Sequence, residues 1–186
     1  MNSETSINQP FEQMQGQEEP KPRFGFLRSQ APPRPPLKSI VVASLTVSAP
    51  LMALALLATQ VSDLLLLPPL GAAVALIIGA PDLPLAQPRN VVMGHIIGVT
   101  VGITCLTYLG SSIFSAAIGA GVTFALMLIF RCAHSPATAT AMVTVLIPHG
   151  EDLRFFVFVT SSALLVVLLG MVVNRIRGVQ YPDYWW

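Results

Sequence analysis

The sequence predicts an all-α fold: a polytopic membrane helical bundle with four long transmembrane helices and two short half-helices. Hydrophobic residues make up 53% of the 186 residues and charged residues only 10%, whereas soluble domains carry about 25% charged residues. Between Ser39 and Asn174 there are seven charged side chains. The apolar residues also form long segments, four of them close to the roughly twenty residues that cross a bilayer. These observations indicate an integral membrane protein.

Residues 1–37 differ in composition from the rest of the chain. They are polar and rich in Pro, Gln and Glu, and such a segment buries too little apolar surface to fold. We therefore expect a disordered tail. The positive-inside rule predicts that this tail is cytoplasmic, because five basic residues precede the first apolar segment: Lys21, Arg23, Arg28, Arg34 and Lys38.

Six apolar segments follow the tail, and their lengths divide them into two kinds. Four are long enough for transmembrane helices: 39–60, 91–109, 113–130 and 155–174. Two have only eleven residues, 70–80 and 137–147. At 1.5 Å per residue each short segment covers roughly 16 Å, half of a hydrocarbon core about 30 Å thick. We therefore expect half-helices or parts of broken helices there.

The two short segments resemble each other. PLGAAVALIIGAP runs from Pro69 to Pro81, and PATATAMVTVLIP runs from Pro136 to Pro148. Each has small residues in its first turn, larger apolar residues in its second, and a long segment on either side. Paired short segments interrupted by proline are typical of transport sites. The pattern raises the hypothesis of an internal 3+3 repeat, which the sequence leaves open.

The number of crossings has two solutions. Arg175 and Arg177 follow the last long segment and predict a cytoplasmic C-terminus, so the number is even. Four crossings with two re-entrant half-helices satisfy this, and so do six crossings with two short helices. Six is slightly favoured because it places Arg89 and Arg131 on the cytoplasmic side, unless those arginines are functional. The expected location is the plasma membrane.

Two arginines stand at the ends of apolar segments, each followed by a histidine. Arg89 precedes His95, and Arg131 precedes His134. Cationic side chains at membrane depth are costly and usually face a cavity or pathway. The alternative is that both arginines extend to the lipid headgroups. Their positions beside the two proline-bounded segments favour a functional role.

The start of the second short segment predicts an anion site. Pro136 suits the first turn of a helix, where free backbone N–H groups and the positive end of the helix dipole attract anions. Thr138 and Thr140 add hydroxyl groups, and Arg131 and His134 would add positive charge. These groups suit a small oxyanion. The alternative is that the small residues only allow close helix packing.

The remaining sequence patterns indicate helix packing and give no sign of a metal site or an enzyme. Gly94, Gly98 and Gly102 form a stripe that most often means close packing of two helices. Cys105 and Cys132 lie in or beside apolar segments without metal-ligand spacing, so we expect no metal or cofactor. There is no paired intramembrane carboxylate or nucleophile–base spacing, so we expect no enzyme. A net charge of +1 gives no reason to expect a nucleic-acid partner.

Two motifs resemble those of a known family. PDLPLAQPRNVVMGHIIGVTVG, residues 81–102, is similar to the signature P-x-x-P-L-A-Q-P-R-N-x-x-x-G-H of the HPP family of integral membrane proteins. HSPATATAMVTVL, residues 134–146, resembles the H-P-P-A-G-A-T-A-L element that names the family. Ser135 replaces the first proline of that element and Thr138 its glycine. The resemblance covers roughly residues 34–177 and implies about four spans.

The resemblance also implies an organisation and a function. Residues 38–177 would form an HPP-type transmembrane domain, followed by an aromatic tail over 178–186 of the interfacial type. Family members related to cyanobacteria and plastids are linked to nitrite transport, which for those relatives implies a plastid envelope. The predicted substrate-binding residues, from the motifs and the charge pattern together, are Arg89, Asn90, His95, Arg131, His134, Thr138 and Thr140.

Two functions from different classes remain open. The leading hypothesis is a membrane transporter or channel-like protein for a small inorganic anion, nitrite first. The alternative is a non-transporting membrane subunit or assembly partner of a larger complex, with its small-residue stripes as interfaces. A homo-oligomer is compatible with either hypothesis.

Overall fold

The computed structural model describes residues 34–61 and 67–185. Every regular element in these ranges is helical, which confirms the all-α prediction. The α-helices are α1 Leu37–Val61, α2 Pro68–Gly79, α3 Pro88–Leu109, α4 Ile113–Ile129, α5 Pro136–Leu146 and α6 Asp152–Ile176. A 3-10 helix, Pro84–Ala86, precedes α3. All of these belong to one compact unit, Pro36–Trp186. The predicted disordered tail lies almost wholly outside the described residues.

The helix lengths agree with the sequence prediction in part. Among the described residues, three helical segments are long and apolar enough to cross a membrane: Leu37–Leu56 within α1, α3 and α6. The fourth predicted span corresponds to α4, which has 17 residues and so stands at the lower end of the range that crosses a bilayer. The short helices α2 and α5 have 12 and 11 residues, and each has proline in its first turn.

Contacts between helix ends give the directions of α3 to α6. A side chain at the start of α3 binds the end of α4, so these helices are antiparallel. Ser111 Oγ, just after α3, donates to the carbonyl of Val145 near the end of α5 at 2.9 Å, so α5 runs parallel to α3. The Tyr181 hydroxyl, after α6, donates to the Ala86 carbonyl before α3 at 2.9 Å. Successive helices from α3 to α6 therefore alternate in direction.

Buried apolar side chains form two clusters. One lies mainly between α2 and α6, and the other lies between α3, α4 and α5. The short helices α2 and α5 also contact each other. Helix α1 lies at the edge of the bundle against α2 and α6, and of its described side chains only Pro50 and Leu54 are buried.

The glycine stripe of α3 packs against α5, as predicted. A Cβ atom at Gly98 would lie 2.5 Å from the carbonyl oxygen of Ala137, and one at Gly102 would lie 2.5 Å from the Cβ of Thr144. Neither position accommodates a side chain without displacing α5. The glycines therefore bring the two backbones close enough for polar side chains of α3 and α5 to bind each other.

Candidate functional site

Two buried histidines lie side by side where α3 meets the start of α5. His95 belongs to α3 and His134 to the turn before α5; both are 0% exposed. Their ring centroids are 5.0 Å apart with the ring planes at 63°, an edge contact. His95 is seven residues into α3, about 10 Å from its start at 1.5 Å per residue. We call these two residues the histidine pair.

Each ring of the histidine pair is held through its Nδ1 atom. Nδ1 of His95 lies 2.8 Å from the hydroxyl oxygen of Thr140 on α5. Nδ1 of His134 lies 2.8 Å from the carbonyl oxygen of Leu85. Both Nε2 atoms are buried and have no hydrogen-bond partner in the described part of the chain. Because most buried polar atoms are paired, two unpaired nitrogens in contacting rings require an explanation.

The segment between α2 and α3, which contains the 3-10 helix, is held by buried polar side chains. Gln87 is fully buried, and its Nε2 donates to the carbonyl of Pro81 at 2.8 Å. Asn90 donates through Nδ2 to the carbonyls of Pro84, at 2.7 Å, and Ala133, at 3.2 Å. Irregular backbone inside a membrane protein needs such internal partners, since lipid offers none. The signature therefore supplies polar groups that stabilise a break between helices, and Gln87 is one that sequence reasoning missed.

The end of α6 and the C-terminal tail complete this end of the bundle. Asn174 and Arg177 donate to the carbonyls of Ile77, at 3.1 Å, and Ile78, at 2.8 Å, at the end of α2. Tyr181 is only 8% exposed, and burial raises the pKa of its phenol above the ordinary range. The sequence predicted an interfacial aromatic tail; within that tail the Tyr181 side chain packs into the end of the bundle. Its position in a polar tail gave no signal of burial.

Arg131 takes part in the turn that ends α4. Its φ is +54°, and its N–H donates to the carbonyl of Leu128 at 3.1 Å, while the N–H of Cys132 donates to Met127 at 2.9 Å. This is the Schellman arrangement, in which one left-handed residue closes the helix. The Arg131 side chain itself is exposed, so it does not join the histidine pair.

Arg89 binds the same helix end from α3. Its guanidinium donates to the carbonyl oxygens of Phe130, at 3.1 Å, and Arg131, at 3.4 Å. A cation is favoured here because the carbonyl end of a helix carries partial negative charge. Arg89 thus joins the start of α3 to the end of α4, next to the turn that carries His134.

Hydrogen-bond donors at the start of α5 bind carbonyls of the chain itself. The N–H groups of Ala137 and Thr138 donate to the carbonyls of His134, at 3.0 Å, and Ser135, at 3.2 Å. The Thr138 hydroxyl also donates to Ser135, at 2.8 Å. In this conformation these donors, which the sequence suggested for an anion, bind backbone carbonyls instead.

The seven predicted site residues therefore fall into groups. Contacting side chains form one group, comprising His95, His134 and Thr140. Two more residues, Arg89 and Asn90, bind the backbone of the turn between α4 and α5. The Thr138 hydroxyl also binds this turn, at the carbonyl of Ser135, and the Arg131 side chain is exposed. Two surface pockets, of about 600 and 320 Å³, lie beside the α6 end and the α5–α6 loop, and none of the seven residues lines them.

Comparison with known proteins identifies the family. Residues 32–182 match the family model described as HPP, transmembrane region. Two transmembrane proteins of Dictyostelium discoideum are each 33% identical to the chain, over 179 and 169 residues, and cover 88% and 84% of it. The chain spans 61% and 54% of the lengths of these relatives. No solved structure matches it. The chain is therefore an integral membrane protein that belongs to the HPP transmembrane family, as its two motifs predicted.

Proposed function

We propose that this protein transports a small inorganic anion across a membrane, as a transporter or channel-like protein, with nitrite as its first substrate. The histidine pair is the observation that supports this most. Ionisable side chains inside a membrane bundle are costly and usually serve a transport pathway. A pair that only stabilised the fold would have its polar atoms bound, yet both Nε2 atoms have no partner among the described residues.

The charges near the pair favour an anion over a cation. From Pro84 to Ile147 the charged side chains are Arg89 and Arg131, and there is no carboxylate. Cation pathways in membrane proteins are commonly lined by Asp or Glu. Nitrite as the specific anion comes from the family resemblance, whose members related to cyanobacteria and plastids are linked to its transport.

The proposed pathway passes between the short helices α2 and α5, beside the histidine pair. In this arrangement α4 serves as the fourth long span, and α1 to α3 and α4 to α6 form the two units of a 3+3 repeat. Both termini lie in the cytoplasm and the protein resides in the plasma membrane. The alternating directions of α3 to α6 support this arrangement.

Uptake of ¹⁵N-labelled nitrite into proteoliposomes tests the proposal. We expect wild-type protein to give saturable uptake above that of protein-free vesicles. Thr140→Val should slow it, because the valine cannot bind Nδ1 of His95. Uptake equal to that of protein-free vesicles, with folded protein in the membrane, would contradict the proposal. If Arg89→Ala and Arg131→Ala both take up nitrite at the wild-type rate, the two arginines do not belong to the substrate site.

One observation favours the alternative, a non-transporting membrane subunit. Helix α4 exposes Ala117, Gly121 and Ala125, and a Cβ atom at Gly121 would meet nothing within 4 Å. Small residues at this spacing let another helix approach closely. A folded protein that shows no uptake and co-purifies with another membrane protein through this face would support the subunit role.

A further inference from the structure

The Nδ1 contacts limit where the protons of the histidine pair can lie. A carbonyl oxygen only accepts hydrogen bonds, so His134 donates to Leu85 through a protonated Nδ1 and keeps a lone pair on Nε2. A hydroxyl can donate or accept; when that of Thr140, which is 1% exposed, donates to Nδ1 of His95, the His95 proton lies on Nε2. In that tautomer Nε2–H of His95 has no bonded acceptor in the described chain, so it can donate to an anion. The neutral pair thus offers one donor and one acceptor.

Protonation of His134 changes what the pair can bind. Its Nε2 becomes a donor, so the pair offers two N–H groups and one positive charge. A planar oxyanion such as nitrite has oxygen acceptors and a single negative charge, and charge-assisted hydrogen bonds of this kind are the strong ones. An anion at the neutral pair would instead meet the lone pair on His134.

The residues around the histidine pair disfavour a proton or an anion that binds there without the other. Helices α2, α4 and α5 carry no ionisable side chain, and the buried residues of α6 are neutral. The remaining neighbouring segments carry Arg89, Arg131, the thiols of Cys105 and Cys132 and the phenol of Tyr181, while Asp82, Tyr108 and Asp183 are exposed. A proton on the pair therefore has no carboxylate to balance it, and a buried unpaired charge is costly. An anion alone is not paired with a cation at the histidine pair either, because the Arg131 side chain is exposed and the Arg89 guanidinium binds the carbonyls at the end of α4.

We infer that the histidine pair binds one small oxyanion together with one proton, which makes the protein a proton–anion symporter. The inference rests on the proposed function and adds its coupling ion. The proton adds to Nε2 of His134, no covalent bond to the anion forms, and the proton leaves with the anion on the far side. Because the two ligands neutralise each other, each raises the affinity for the other by the same factor.

Proton uptake by purified protein tests the coupling directly. Sodium nitrite is added to the full chain in weakly buffered detergent solution, with sodium chloride as the reference, and the pH is followed. We expect about one proton to be taken up per bound nitrite. Nitrite binding to the wild-type protein without proton uptake overturns the inference. Since this outcome needs no variant, it does not depend on whether a variant folds.

Matched asparagine variants localise the effect. In His134→Asn the amide can still donate to Leu85 in place of Nδ1, but Nε2 is gone, so proton uptake should disappear. His149→Asn is the control, because His149 binds Asp152 at 3.1 Å in the loop before α6 and lies outside the pair. Proton uptake that persists in His134→Asn would contradict the assignment, and so would its loss in His149→Asn alone.

Uptake rates in proteoliposomes distinguish an error in the proposed symport from an error in the proposed function. Rates are corrected for protein-free vesicles, because undissociated nitrous acid crosses lipid unaided. We expect the protein-dependent initial rate to rise with an inward proton gradient and to be insensitive to membrane potential, since the carried pair is neutral. A rate that follows membrane potential and ignores the proton gradient would leave nitrite transport standing and overturn symport. The absence of protein-dependent uptake would refute the proposed function.

Discussion

Replacing Gly98 by alanine should separate α3 from α5. The added Cβ would lie 2.5 Å from the carbonyl oxygen of Ala137 and 3.3 Å from the Cβ of Thr140. Ordinary contacts between such atoms begin near 3.4 Å, so the backbones must move apart by about 0.9 Å. A backbone carbonyl cannot rotate away as a side chain can. Overpacking of this kind lowers the free energy of unfolding by about 1 to 3 kcal/mol.

The same displacement acts on the histidine pair. Thr140 is one of the residues that the added Cβ would press on, and its hydroxyl oxygen lies 2.8 Å from Nδ1 of His95. A shift of about 0.9 Å along that contact takes it beyond the hydrogen-bonding range of about 3.2 Å. Gly98→Ala should therefore lose nitrite uptake as well as stability.

The matched control is Gly121→Ala on the exposed face of α4. A Cβ atom there meets nothing within 4 Å, and alanine is favoured over glycine in a helix by about 0.5 to 1 kcal/mol. Thermal unfolding followed by fluorescence-detected size-exclusion chromatography should show Gly98→Ala below wild type and Gly121→Ala at or above it. Equal melting temperatures for the two variants would refute the packing argument.

Three further changes have expected outcomes. Arg131→Gly should raise the free energy of unfolding by about 1 kcal/mol in thermal melts, because the residue adopts φ +54° and glycine does so without strain; no gain would contradict the proposed turn. Arg89→Met should lower it by about 1.5 to 3 kcal/mol through the loss of two charge-assisted hydrogen bonds to carbonyls, and an unchanged melting temperature would count against this contact. Burial raises the pKa of the Tyr181 phenol, so the unfolded chain ionises first, near pH 10. Stability is then complete below about pH 10 and falls as the pH rises further, whereas Tyr181→Phe should show a weaker alkaline loss.

The helices followed from local patterns in the sequence. Apolar length predicted all six, and proline at each start predicted the two short ones, because an N–H missing from the first turn costs nothing there. The boundaries were less well defined. Helix α3 begins at Pro88 instead of residue 91 and α6 at Asp152 instead of residue 155, because polar residues are tolerated in a first turn.

The contacts of the site depend on tertiary structure and could only be guessed from spacing. The partner of His95 is 45 residues away in the chain, and that of His134 is 49 residues away. The sequence singled out Arg89 as a cation beside an apolar segment. Its binding to the end of α4 could not be predicted, because it depends on how α4 terminates. Tyr181 looked like an interfacial aromatic residue because nothing local distinguishes a tail that folds back from one that does not.

The role of the histidine pair is tested by the initial rate of protein-dependent nitrite uptake, compared between wild type and His134→Asn at equal amounts of folded protein. We expect wild-type uptake to rise with an inward proton gradient and the variant to lose both the uptake and this dependence. Wild-type uptake with the same gradient dependence in His134→Asn would show that the histidine pair carries neither the anion nor the proton.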